Sequence, residues 1–113
     1  MAHFDVHCQD CLRLLISRCE DVHLWLDELA AKLGLHHRFA RHHTRGIEEA
    51  GERFGELGRK AALIHVLRDS GHTPTPRQWK DGKVDPLGFA PNGLFYGEWD
   101  PHEFIRQARK LVG

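Results

Sequence analysis

The sequence has no apolar run approaching the roughly 18 residues of a membrane span, which excludes a membrane-spanning helix. Its first residues, MAHFDVHCQD, lack the basic and apolar regions of a signal peptide, so a cytoplasmic location is the expectation. Charge of one sign is also lacking. Sixteen acidic residues balance 16 basic ones, so no global field recruits nucleic acid or an anionic membrane. Arg38, Arg41, Arg45, Arg53 and Arg59 do cluster, and a solvated helix face is the ordinary account of such charges. Cysteine is sparse: three, an odd number in a chain without a leader, argue against a disulfide framework. There is no Gly-rich phosphate loop, no nucleophile-elbow serine and no dinucleotide fingerprint. The Gly55-x-x-Gly58 pair is too short to be one.

Histidine stands out against this background. Ten occur in 113 residues, and seven of them lie between His23 and His72. They are dispersed through the part of the chain that reads as helical, so an expression tag does not account for them.

The hydrophobic periodicity predicts a mainly α protein in a single domain over residues 1–113. A three-helix core fills residues 5–80, and an irregular Gly/Pro/aromatic-rich segment and a C-terminal helix fill 81–113. The first helix is expected over residues 5–33, because Cys8, Leu12, Leu15, Cys19, Val22, Leu26, Leu29 and Leu33 recur at three- and four-residue steps. The second is expected from His36 to about Phe54, with Leu35, Phe39, His43, Ile47, Ala50 and Phe54 on one face. On that wheel His43 points inward, His36 and His42 flank the apolar stripe, and His37 looks out; a small rotation exchanges His42 and His43. The third runs from about Glu56 to Asp69, apolar almost all round near His65. Thr75-Pro76 with Gln78 forms a capping-box pattern for a short helix through Trp79. Pro91-Asn92-Gly93 suggests a small hairpin, and Asp100-Pro101 with Glu103 starts the last helix.

Three constellations carry chemistry. The first is one histidine per helix, His23, His43 and His65, with Asp27 and Asp69 four residues after the first and last, hence on the same helix face. Imidazoles and carboxylates facing into a helical bundle form the donor set for a divalent transition metal. Zinc leads, with iron and manganese the alternatives, and His42 is a neighbouring ligand. On this reading His43→Ala and His65→Ala cost metal retention, and His37→Ala does not. The second is Cys8-x-x-Cys11, half a zinc site that His3, His7 or a later histidine would complete, or else two small buried hydrophobes. The third is His43 followed by the apolar helix through His65. It resembles the HD-type metal phosphohydrolases, except that Val66 stands where their metal-bridging aspartate follows histidine; only Asp69, one turn on, is placed to substitute.

Four motifs in order, His7-Cys8-x-x-Cys11, Val22-His23-x-Trp25-Leu26-Asp27, His37-Arg38-x-x-Arg41-His42-His43-x-x-Gly46-Ile47 and His65-x-x-x-Asp69, together with Thr73-Pro74-x-x-x-Gln78-Trp79 resembling a Thr-Pro-Gln-Trp segment, cover residues 5–80. Together they resemble a family of small histidine-rich helical proteins of prokaryotes and their phages whose function is unassigned. The resemblance implies that these histidines matter and names no reaction. It also gives His37 a motif position that the helical wheel does not explain. The functional expectation is a metal-binding helical protein, hydrolase-like if one metal position is open to water. The rival is an interaction module with structural histidines and an unidentified protein partner.

Overall fold

The structure is a computed structural model that describes residues 4–84 and 99–113. Among these residues all the regular secondary structure is helical. In chain order the helices are α1 (Phe4–Leu15), α2 (Glu20–Leu26), α3 (Ala30–Leu33), α4 (Arg38–Arg41), α5 (Thr44–Ser70), α6 (Pro76–Lys80) and α7 (Pro101–Val112), with a 3-10 turn at Gly34–His37 before α4. The hairpin expected around Pro91-Asn92-Gly93 lies outside the described residues, as do the side chains of Leu35, His36 and Phe39.

The helix expected over residues 5–33 is three. Ile16 and Cys19 take left-handed backbone conformations, with φ of 60° and 51°, and break the run. Non-glycine residues there cost on the order of 1 kcal/mol each. The break lets α1 and α2 both lie on α5. A continuous helix at about 1.5 Å per residue would be roughly 43 Å long, more than the 34 Å of the molecule's longest dimension.

The second correction falls between His36 and Phe54. The chain makes a 3-10 turn, one turn of α-helix, and then an extended residue, His43, at φ −156° and ψ 176°. Only after that does α5 begin. It continues past the expected boundary: Gly55 (φ 83°) kinks it without ending it, so the expected third helix is the second half of α5.

The core gathers Val22, Trp25 and Leu26 from α2, Ile47, Ala50, Ala61, Ala62, Ile64, Val66 and Leu67 from α5, and Phe104 and Ala108 from α7. Fully burying a side chain such as Phe104 contributes about 1.5–3 kcal/mol. Polar ties then set the register. Arg68 on α5 grips Asp10 on α1 through two parallel bonds of 2.8 and 2.7 Å. Its guanidinium also lies 3.9 Å from the Phe104 ring centre. The Thr75 capping box forms as the sequence predicts, and Asp100 caps α7 by accepting from the Glu103 N–H. Short α6 anchors a distant turn: Trp79 Nε1 donates to the His42 carbonyl at 2.7 Å, and Thr44 N donates to the Pro74 carbonyl at 2.8 Å.

Gly46 shows how tight that turn is. A Cβ there would sit 1.9 Å from the Arg41 carbonyl oxygen, a backbone atom that cannot swing aside. Gly46→Ala is therefore expected to destabilise the fold by about 1–3 kcal/mol or more, read as a lower denaturant midpoint with an unchanged slope.

Candidate metal centre

Each element brings its histidine to the same interior point for a local reason. Residue 23 lies in α2 on the face of Leu26, and Asp27 caps the C-terminus of that helix, its N–H donating to the His23 carbonyl at 3.2 Å. Residue 42 ends the turn held by Trp79. Residues 65 and 69 are one turn apart on the buried face of α5. From α1 comes His7, one turn before Cys11, placed by the Asp10–Arg68 pair.

The donor atoms Asp27 Oδ1, His42 Nε2, His65 Nε2 and Asp69 Oδ2 form a cage, all within 4.8 Å of one another. Each imidazole nitrogen is 3.3 Å from each carboxylate oxygen. The two nitrogens are 3.1 Å apart. A tetrahedral ion with bonds of about 2.0–2.1 Å separates its donors by about 3.3–3.4 Å. The side chains of His42, His65 and Asp69 are wholly buried, while that of Asp27 is 24 % exposed and forms the side of the cage nearest solvent. These groups are geometrically able to hold a metal ion.

The surroundings complete the orientation. Buried His37 places Nε2 3.0 Å from Asp27 Oδ1, and its Nδ1 bonds the Gly34 carbonyl. On the far side of His65, Nδ1 lies 2.9 Å from Nδ1 of His23. If His65 Nε2 offers its lone pair to a cation, Nδ1 carries the proton and donates to His23, which fixes both tautomers.

Electrostatics follow from burial and proximity. Burial opposes ionisation of both aspartates, but the charge of His65 beside Asp27, and of His7 beside Asp69, with hydrogen bonds from the surrounding imidazoles, holds both carboxyls below the usual range. Burial likewise opposes charge on His65, yet the Asp27 charge and hydrogen bonds to Asp27 and Asp69 lift it to about 9. Burial, reinforced by His65 and His7, pushes His23 down to about 2. Without a metal, then, a proton on His65 offsets one of the two carboxylate charges.

Of the residues singled out in the sequence, the structure brings together His23, Asp27, His42, His65 and Asp69. It does not bring His43, which faces the other way as the N-cap of α5. There its Nδ1 accepts the Gly46 N–H at 3.0 Å and its Nε2 donates to the Ala40 carbonyl at 3.1 Å. Cys8 and Cys11 are fully buried free thiols on α1, and burial raises both. Among the described residues they join no group of three or more ligands. Sequence reasoning turned His37 outward and weighed His7 only as a partner for the cysteines. The first error came from running one helical wheel across two breaks, and the family resemblance already gave His37 a motif position. The second had a signal in the chain: His7 shares a helix face with Asp10 and Cys11.

No family model, curated protein or solved structure matches this chain.

Metal-free and metal-bound chains should titrate differently. The raised pKa of His65 stabilises the metal-free fold below about pH 6.5, and that contribution is lost as pH rises toward 9. The lowered pKa of His23 works the other way: stability falls below about pH 6.5, where only the unfolded chain takes up the proton. Denaturant melts of stripped protein should therefore peak near pH 6.5. With metal in place of the His65 proton, the alkaline decline should vanish.

Proposed function

We propose that this chain is a metal-binding helical protein whose divalent ion is held by Asp27, His42, His65 and Asp69. The observation that carries the reading is the near-tetrahedral spacing of two imidazole nitrogens and two carboxylate oxygens in a buried cage. Two nitrogen and two oxygen donors at that spacing suit zinc best, with iron and manganese accepting the same set at higher coordination. The ion would replace the His65 proton. Adding Zn2+ to stripped protein at pH 7 should release about one proton per ion bound, followed with a pH indicator in weak buffer. Uptake without proton release would count against this site.

The centre joins α2, the turn before α5, and the second half of α5, so its first role is to hold these elements together. Metal-dependent hydrolysis is the second reading, favoured by the position of Asp69. It supplies, one turn after His65, the carboxylate that HD-type enzymes place next to their histidine. The solvent side of Asp27 is where a metal-bound water would enter, and such water reaches a pKa near ~7. Phosphoesterase screens of the loaded protein test this; activity indifferent to Asp27→Ala would remove it. We also read the chain as a member of the histidine-rich family it resembles, because motif residues His7, His23, Asp27, His37, His42, His65 and Asp69 converge on one point.

A further inference from the structure

A groove runs between the end of α5 and the outer face of α7. Leu67 and Gly71, one turn apart, form its wall on α5. At about 100° per residue, Asp69 projects from the opposite side of that helix, so the groove lies apart from the cage. Arg106 and Gln107 on α7, with Lys110 and Leu111 one turn on, form the other wall. Phe104 and Ala108 turn the remaining face of α7 into the core. His72 follows Gly71 in the lining. The groove encloses about 340 Å³, the low end of the range for small-molecule sites.

The ordinary role for cations beside a helix C-terminus is to cap its last carbonyls. Here those carbonyls have other donors. Gly71 N donates to the Leu67 carbonyl at 2.8 Å, Trp99 Nε1 to that of Arg68 at 3.3 Å, and His72 Nδ1 to that of Ser70 at 3.1 Å. No acidic residue lines the groove. Arg106 turns Nε and Nη2 to Glu103, one turn back on α7, and its Nη1 makes no hydrogen bond among the described residues. Lys110 makes neither an ion pair nor a hydrogen bond among them. Glu103 offsets the charge of Arg106, so Lys110 leaves the groove with one positive charge in excess.

We propose that this groove binds a small carboxylate with an apolar body. A single excess positive charge matches a monoanionic head better than a dianion such as phosphate. The free Nη1 of Arg106 and the Lys110 ammonium, four residues apart on one helix face, supply charged donors for its two oxygens. Leu67 and Leu111 supply the apolar contact. Leu111 is 39 % exposed, so a ligand laid against it removes apolar surface from water. The site does not depend on whether the cage holds a metal.

The test is benzoate titrated into 15N-labelled full-length chain and read as amide shifts. Shifts should centre on residues 67–73 and 106–111 and saturate with a roughly millimolar dissociation constant, the level for so few atoms at a water-facing groove. Arg106→Gln combined with Lys110→Gln should weaken binding about tenfold or more, the loss expected with the charged hydrogen bonds. Lys80→Gln, at an exposed position on α6, should leave it unchanged. Benzyl alcohol, the same ring without the charge, should bind at least about tenfold more weakly. Zinc-loaded and stripped chains should respond alike. Loss of binding on stripping would place benzoate on the metal and overturn the groove. So would shifts centred elsewhere, or a native chain that binds benzoate no better than benzyl alcohol. Should the double variant fail to fold, that comparison on the native chain still decides.

Discussion

Asp69→Asn should strip the protein of metal and destabilise it by about 3–5 kcal/mol, the range for breaking a buried charge network by removing one partner. The substitution preserves shape, removes the charge and replaces one acceptor oxygen with an NH2 donor. Asp69 is wholly buried, with Oδ2 3.3 Å from both His42 and His65 and Oδ1 3.3 Å from His7. Without it the cage loses a ligand, and in the stripped chain the His65 charge loses a counter-ion it cannot replace from solvent. Metal analysis and denaturant melts read the two effects separately. Asp21→Asn, at an exposed position on α2, is the control and should change neither. Full metal content in Asp69→Asn would show that the cage is not the site.

Removing the metal should lower the melting temperature by about 15–30 °C. An ion at 1,000 times its dissociation constant stabilises by about 4.1 kcal/mol, and a domain of this size shifts by about 4–8 °C per kcal/mol. The rival reading, a polar core of structural histidines serving an interaction module, predicts no response to a chelator, because it has no bound ion to lose. Calorimetry with and without a chelator, then with zinc restored, separates the two. The drop should reverse on adding zinc.

His43→Ala gives a smaller and opposite-looking result to the one helical periodicity suggests. It should retain metal and lose about 0.5–2 kcal/mol of stability, the cost of an N-cap. His37→Ala should retain the fold and weaken metal affinity about 10–100-fold, the usual effect of removing a group that orients a ligand.

This pair marks the boundary of what the chain discloses on its own. Asp27 and Asp69 were legible as partners of His23 and His65 because four-residue spacing within a helix holds whether the helix is long or short. The caps at Thr75 and Asp100 were legible because capping is a local bargain between a side chain and the next few N–H groups. The choice between His42 and His43 was not. It depends on His43 leaving helical conformation, which resets the phase of everything before it. The tertiary bonds that hold that turn, from Trp79 and from the Pro74 carbonyl, come from 37 and 30 residues away. The break at Ile16 and Cys19 was hidden for a related reason: both residues fit a helix locally, and packing of α1 and α2 against α5 overrides that preference.

The most direct measurement is elemental analysis of untagged protein purified without chelator or nickel resin. The account predicts at least one zinc, iron or manganese ion per chain, lost in Asp69→Asn and retained in His43→Ala. A metal-free chain that no added ion stabilises would contradict it and leave the histidines as a structural core.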